Sequence, residues 1–138
     1  MARQLRKGTL LVAAIGDQST ITGLLLTGMG ERNERGNQNF FIIERNTTDE
    51  EIDQQLRNFL GRPDIGIVLI SQGAAERVRN VIVEHEATIP TILEIPGDDA
   101  PYDPEKDTIV QRASAILWGA DTGREKLKQM AVELAKQK

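Results

Sequence analysis

Apolar residues along the chain form four short runs, and the segments between the runs have a helical period. The runs lie at residues 9–15, 39–43, 65–70 and 90–95. Continuous apolar runs of this length are typical of strands that are buried on both faces of a sheet. The run at 65–70 is the most apolar, so we expect it to be a central strand.

The segments between the runs predict amphipathic helices, because their apolar residues recur every three or four positions. Asp17 or Ser19 can cap the first helix, and Thr48 and Glu51 form the pattern of a capping box at the start of the second. Gly23 within the first helix suggests close packing against the sheet. The three apolar stripes consist of Ile21, Leu24 and Leu25; of Ile52, Leu56, Phe59 and Leu60; and of Ala74, Ala75, Val78, Val81 and Ile82.

Alternating strands and helices predict an α/β fold over residues 1–97, with right-handed crossovers and helices on both faces. The expected architecture is a small doubly wound, four-stranded parallel sheet, receiver-like or Rossmann-like, with a C-terminal helical extension. Residues 98–107 contain five acidic residues and two prolines and are predicted to be a linker. Residues 108–138 are predicted to be a helical segment, interrupted at the sequence GADTG, that docks on a partner; the alternative is that it folds back on the domain.

Composition excludes several classes of protein. The chain has 138 residues, which fits one compact domain, and it has no cysteine, so disulfide scaffolds and cysteine nucleophiles are excluded. A net charge of −4 argues against a dedicated nucleic-acid binder. The uncharged apolar stretch at residues 8–16 is far too short to span a bilayer. The basic start and the apolar run after it are superficially similar to a signal peptide, but no small-residue cleavage site follows, so we expect a soluble intracellular protein.

Catalytic motifs are absent at the predicted carboxyl edge of the sheet, where open parallel sheets bind ligands. There is no P-loop, and the Gly28-x-Gly30 pattern follows a helix rather than a strand. A phosphate-accepting receiver needs an acidic pair after the first strand and an Asp after the central one. Only Asp17 qualifies, and Ser71 occupies the position of the acceptor. Asp17 is therefore interpreted as a helix cap, with a general base as the alternative.

Metal binding is not expected either. His85 is the only histidine, and the spacing of the acidic residues at 98–107 does not match a calcium loop. We expect His85 to be a solvated residue near a helix C-terminus. The residues thus favour an interaction protein without a cofactor. The alternatives are a degenerate receiver-like module that binds a partner without phosphorylation, and a small enzyme that uses Asp17 and Ser71.

Several segments in a fixed order resemble the F-subunit family of vacuolar-type proton-pumping ATPases. They are Ile15-Gly16-Asp17, the stretch TITGLLLTGMG at 20–30, NFF at 39–41, IVLISQ at 67–72, and PTILEIP at 90–96 followed by Pro101-Tyr102-Asp103. The resemblance covers about residues 9–117. Gln18 departs from it, since the family usually has an acid there, and Gly97-Asp98 replaces an expected Ser-Lys. The tail after Trp118 has no counterpart that we can match.

The resemblance implies a non-catalytic component of the central rotor stalk. In this family the α/β domain lies beside the coiled coil of the D subunit, and the C-terminal helix lies along it, near the catalytic-ring subunits. The partner-binding residues would then be Ile109, Ala113, Ile116 and Leu117. The loop at 28–38, with Met29, Glu31 and Arg32, would be a candidate contact for the membrane-rotor-linking subunit, which joins the stalk to the membrane sector. The implied location is cytoplasmic and peripheral, on the cytosolic face of acidic organelle membranes, without direct membrane insertion and without nucleic acid.

Overall fold

The computed structural model describes residues 10–30 and 36–137. Two compact units divide the chain between Ala100 and Pro101, so the acidic segment 98–107 is shared between them. The elements are β1 (Leu11–Asp17), α1 (Gln18–Leu26), β2 (Phe40–Ile43), α2 (Asp49–Gly61), β3 (Ile65–Ser71), α3 (Gln72–Arg77), α4 (Arg79–Glu84), β4 (Thr91–Ile95), α5 (Thr108–Trp118) and α6 (Ala120–Lys136).

The first unit contains a four-stranded sheet with the order β2-β1-β3-β4, and every neighbouring pair of strands is parallel. The predicted fold class is therefore confirmed, as is the internal position of β3. The register aligns Ala13, Val68 and Ile92 across three strands. Because side chains alternate along a strand, these three residues point to the same face of the sheet.

Helices lie on both faces of the sheet, as the alternating pattern predicts, although α1 covers only the part of its face that β1 and β2 form. Ile52, Leu56 and Phe59 of α2 are fully buried in one cluster with Ala13 and Ile15, and that cluster also contains the buried apolar residues of α3 and α4. On the opposite face, α1 packs against β1 and β2 through the fully buried Ile21. Each fully buried Ile, Leu or Phe contributes about 1.5–3 kcal/mol of transfer free energy.

The predicted helix starts are confirmed at two places. The Asp17 side chain accepts a hydrogen bond from the Thr20 amide and caps α1. Thr48 and Glu51 form the complete capping box at α2, because each side chain bonds the other residue's backbone amide, at 3.2 and 2.7 Å. Three amides at the starts of these helices, which lack intrahelical acceptors, are thereby satisfied.

Two predictions about the helices of the first unit are wrong. Gly23 does not pack against the sheet: it is exposed, and a Cβ added there would meet no atom within 4 Å. The third helix is interrupted at Val78, whose φ of −124° is not helical, and Ser71 makes no side-chain capping bond to it. The stripe from Ala74 to Ile82 is nevertheless buried, because the two short helices turn the same apolar residues toward the sheet.

Candidate partner-binding surface

Asp17 at the carboxyl edge of the sheet is engaged as a cap. Its carboxylate accepts hydrogen bonds from the Ser19 hydroxyl at 2.6 Å and from the Thr20 amide and hydroxyl, both at 2.8 Å. Desolvation by burial is the largest single effect and raises its pKa. These hydrogen bonds together outweigh desolvation and lower the pKa to about 2. A carboxylate this acidic is a weak general base near neutral pH, which counts against the enzymatic alternative.

Ser71 is enclosed by the chain's own atoms and is only 5% exposed. A Cβ added to Gly97 would lie 3.4 Å from the Ser71 Cβ and 2.8 Å from a carboxylate oxygen of Asp99. A Cβ on Gly73 would lie 2.2 Å from the other Asp99 oxygen. The loop after β4 thus packs tightly against the edge where a receiver or an enzyme would bind its substrate.

A buried ionic cluster joins β4 to the helices beside it. The Glu94 side chain is fully buried, and its carboxylate accepts hydrogen bonds from Arg79 and, at 3.3 Å, from Gln72. A charged side chain in the interior is stable only when it is paired and hydrogen-bonded. The contacts therefore identify this cluster as a structural link. Glu94 is the one charged residue in the apolar strand β4. A carboxylate in that position indicates, from the sequence alone, that a cationic or hydrogen-bonding partner lies beside it.

The loop after α1 is attached to the sheet through Asn39, which is fully buried. Its side-chain amide donates hydrogen bonds to the backbone carbonyls of Val12, at 2.8 Å, and Met29, at 3.1 Å. Met29 is half-buried at this attachment. The other two predicted contact residues of the loop, Glu31 and Arg32, lie outside the described residues.

His85 differs from the solvated residue that the sequence suggested. It is half-buried, and its Nε2 lies 2.7 Å from the carbonyl oxygen of Pro90. Because a carbonyl oxygen only accepts, Nε2 carries a hydrogen, and the ring fastens the end of α4 to the start of β4. Within the described residues, no group of three or more histidine, aspartate or glutamate side chains is placed to hold a metal ion.

The second unit presents the predicted partner-binding stripe on the surface of α5. Ile116 is 85% exposed and Leu117 is 69% exposed, while Ala113 is exposed and Ile109 is half-buried. The helix itself is well anchored at its start. Asp107 is buried, accepts hydrogen bonds from the amides of the first turn, and accepts another from the Tyr102 hydroxyl at 2.6 Å. Within the described ranges, 10–30 and 36–137, no helix is long and apolar enough to cross a lipid bilayer.

Helix α6 packs back on α5, which the sequence did not predict. The chain turns at Gly119, whose φ of +82° is a conformation that favours glycine. Gly123 then lies against the backbone of Ser114, and Leu127 is 3% exposed. Ile116 lies two residues, about 200° around the helix, from Ser114, so α6 covers the face of α5 opposite to Ile116. The stripe therefore stays open to solvent within the second unit.

The family model described as "ATP synthase (F/14-kDa) subunit" matches residues 12–113. The match includes all four strands, except for Leu11 at the start of β1, and the first part of α5. The chain belongs to the family of V-type ATPase F subunits. This F-subunit chain extends beyond the matched region, because the end of α5 and the whole of α6 follow residue 113.

Curated relatives agree with the family match. The chain is 47% identical over 111 residues to the V-type proton ATPase F subunits of Rattus norvegicus and of Homo sapiens, covering 80% of this chain and 93% of each relative. Identity to the V-type proton ATPase F subunit of Dictyostelium discoideum is 42% over 121 residues, covering 88% and 100%. The solved F subunit of the V-type ATP synthase from Archaeoglobus fulgidus aligns with a TM-score of 0.45 at 22% identity, covering 64% and 99%.

Proposed function

We propose that this chain is a non-catalytic component of the central rotor stalk of a V-type proton-pumping ATPase. It binds the coiled coil of the D subunit, and it transmits the rotation driven by ATP hydrolysis toward the proton-moving membrane sector. The family membership supports a place in the ATPase, and the stalk position follows from the resemblance that the sequence carries.

The observation that carries the proposal is the exposed apolar stripe on α5. Ile116 and Leu117 are both mostly exposed on a helix that is capped at its start and supported by α6 on another face. A helix held in place with large aliphatic side chains directed to solvent is the arrangement of a helix that inserts into a groove between partner helices. The small side chain of Ala113 on the same stripe permits close approach.

The carboxyl edge of the sheet supports a role without catalysis. The Asp17 carboxylate is held by three hydrogen bonds with a lowered pKa, and Ser71 is enclosed. We further propose that the chain is peripheral on the cytosolic face of acidic organelle membranes. There the catalytic-ring subunits surround the stalk, and the loop after α1, including Met29, contacts the membrane-rotor-linking subunit.

The test is a titration of the D subunit with this chain and with its Ile116→Asp variant. Burial of an isoleucine contributes about 1.5–3 kcal/mol, and an aspartate in an apolar groove adds a desolvation cost. We therefore expect the dissociation constant to rise by about 30-fold or more, which corresponds to roughly 2 kcal/mol.

Leu26→Asp is the matched control, because Leu26 is 84% exposed and lies on α1 rather than α5. It should bind the D subunit with the affinity of the unchanged chain. Equal affinities for the Ile116→Asp variant and the unchanged chain, with native circular dichroism spectra for both, would show that α5 is not the docking helix.

A further inference from the structure

One face of the sheet in the first unit carries a helix over only half of its width. Helices α2, α3 and α4 contribute to the cluster on the other face, whereas α1 packs against β1 and β2. The surface that β3 and β4 form on the α1 side is called the open half-face below. Its side chains alternate along the strands with the clustered Val68, Ile70 and Ile92, so they point away from that cluster. They are Ile67, Leu69, Thr91, Leu93 and Ile95.

The order of the strands explains why this half-face carries no helix of the first unit within the described residues. The connection from β1 to β2 runs in one direction across the sheet, and the connections from β2 to β3 and from β3 to β4 run in the other. Because crossovers are right-handed, connections in opposite directions place their helices on opposite faces. Four strands about 4.8 Å apart span about 19 Å, whereas a helix with its side chains is about 10–12 Å wide. Space for about one more helix therefore remains over β3 and β4.

The open half-face is apolar and uncharged. Leu93 is 42% exposed and Ile67 is 36% exposed, while Leu69 and Ile95 are half-buried. Thr91 is the polar member, and its hydroxyl already donates a hydrogen bond to a backbone carbonyl of its own chain, at 2.7 Å. Parallel sheets occur almost only with both faces covered, because both faces are apolar. An occupant that suits this surface offers aliphatic side chains and places no charge at the contact.

We infer that the open half-face docks one helix of the partner that α5 binds, the coiled coil of the D subunit. A helix fits the space because the gap is one helix wide. The five residues of β4 extend over about 16 Å, which is about three turns of helix. Aliphatic side chains at every third or fourth position of that helix would pack between Ile67, Leu69 and Leu93.

The chain sequence connects this surface to the α5 stripe. Strand β4, which forms the outer part of the open half-face, is followed by residues 96–107 and then by α5. A linker of that length spans at most about 40 Å. A long coiled coil that holds α5 therefore lies within reach of the open half-face as well. The inference rests on the proposed function for the identity of this partner.

The first experiment titrates the D subunit with the full chain and with two lysine variants. Leu93→Lys places a charge within the open half-face. Val83→Lys makes the same change of charge at a 50% exposed position of α4, whose buried residues pack on the opposite face. Both variants should fold, because lysine is common on edge strands such as β4 and is a better helix former than valine. Leu93→Lys should raise the dissociation constant about tenfold, and Val83→Lys should leave it unchanged.

The Ile116→Asp variant distinguishes failure of this inference from failure of the proposed function. Weakening by Leu93→Lys and by Ile116→Asp, with Val83→Lys unaffected, supports the inference. Unchanged affinity of Leu93→Lys, alongside weakening by Ile116→Asp, overturns the inference and leaves the proposed function intact. Equal weakening by the two lysine variants would show a general effect of charge and overturn it as well. Failure of the unchanged chain to bind the D subunit overturns both.

A second experiment identifies the occupant through a single thiol and does not depend on an added charge. The chain has no cysteine, so Leu93→Cys and Val83→Cys each introduce one reactive site. A maleimide should label Leu93→Cys about tenfold more slowly in the complex with the D subunit than in the free chain, because an enclosed thiol is inert. Val83→Cys should react equally in both. A photoreactive cross-linker on Leu93→Cys should attach to D-subunit residues three or four positions apart, the spacing of one helix face.

Other occupants would be recognised in the same experiment. Slow labelling of Leu93→Cys in the free chain, with cross-links to residues 101–138 of the same chain, would assign the surface to the chain's own second unit. Cross-links to a second copy of the chain would assign it to a dimer. Either result overturns the inference, and so does equal labelling of Leu93→Cys in the free chain and in the complex.

Discussion

Replacing Gly123 by alanine should destabilise the second unit, although alanine is the better helix former. A Cβ at this position would lie 2.9 Å from the Ser114 carbonyl oxygen, 3.0 Å from its carbonyl carbon and 3.1 Å from its Oγ. Two of these three atoms belong to the backbone of α5 and cannot rotate away. The two helices would have to separate by several tenths of an ångström to accommodate the methyl group.

Two effects of opposite sign determine how Gly123→Ala changes the free energy of unfolding. Helix propensity favours alanine by up to about 1 kcal/mol, and less in a first turn. Overpacking of a close contact costs about 1–3 kcal/mol. We therefore expect the Gly123→Ala variant to lose about 1 kcal/mol of unfolding free energy in the second unit.

Gly23→Ala is the matched control, because Gly23 lies in α1 and an added Cβ meets nothing within 4 Å. Only the propensity effect applies there, so this variant should gain about 0.5–1 kcal/mol in the first unit. The two glycines thus separate the intrinsic preference for alanine from the cost of the helix–helix contact.

Urea titration provides the assay for both variants. Trp118 is the only tryptophan and lies under Lys126, so its fluorescence follows the second unit. Far-ultraviolet circular dichroism follows the whole chain, and amide hydrogen exchange in α6 shows whether that helix is released from α5. An increase in stability for Gly123→Ala equal to that of Gly23→Ala would refute the close packing of α6 on α5.

Three further predictions concern the first unit. Asp17→Ala should cost about 1 kcal/mol at pH 7, the usual value of an N-cap at a half-exposed site. The pKa of Asp17 in the folded chain is about 2, below its usual 3.8. The stabilisation is therefore complete above about pH 4 and is lost as the pH falls through about 2. Thermal melts in which the substitution costs the same stability at pH 7 and at pH 2 would contradict this. Asn39→Ala should cost about 1–3 kcal/mol and speed hydrogen exchange around Met29, because two backbone carbonyls lose their donor. Glu94→Gln should cost about 3 kcal/mol because it removes the buried carboxylate that pairs with Arg79, and a double-mutant cycle with Arg79→Gln should recover part of that loss.

The sheet could be predicted because its signal is local. Each strand is a continuous apolar run, and each connection to the next strand includes helical periodicity, which together restrict the topology to parallel strands with crossovers. Capping residues such as Thr48 and Glu51 are equally local, since both partners are three residues apart. The apolar spacing on α5 could also be recognised from the sequence, whereas spacing alone did not show which side of the helix stays exposed.

The features that were missed depend on contacts between distant residues. Asn39 bonds to Val12 and Met29, and nothing in its neighbourhood indicates which carbonyls it reaches. The break of the third helix at Val78 has no glycine or proline to mark it. Gly23 was misinterpreted because a glycine in a helix suggests close packing, yet here it is exposed.

The turn between α5 and α6 had a signal that could have been recognised. Gly119 and Gly123 are four residues apart; the first permits a positive φ and the second permits contact with Ser114. Their roles become apparent only when the second helix is folded back.

The central claim is that the chain belongs to the stalk of a V-type ATPase and docks through α5. The most direct test is affinity purification of the tagged full chain from its own cells, with the bound proteins identified by mass spectrometry. We predict recovery of the D subunit and the catalytic-ring subunits with the unchanged chain and with Leu26→Asp, and their loss with Ile116→Asp. Recovery of none of these subunits by the unchanged chain, from an extract shown to contain intact ATPase, would contradict the claim.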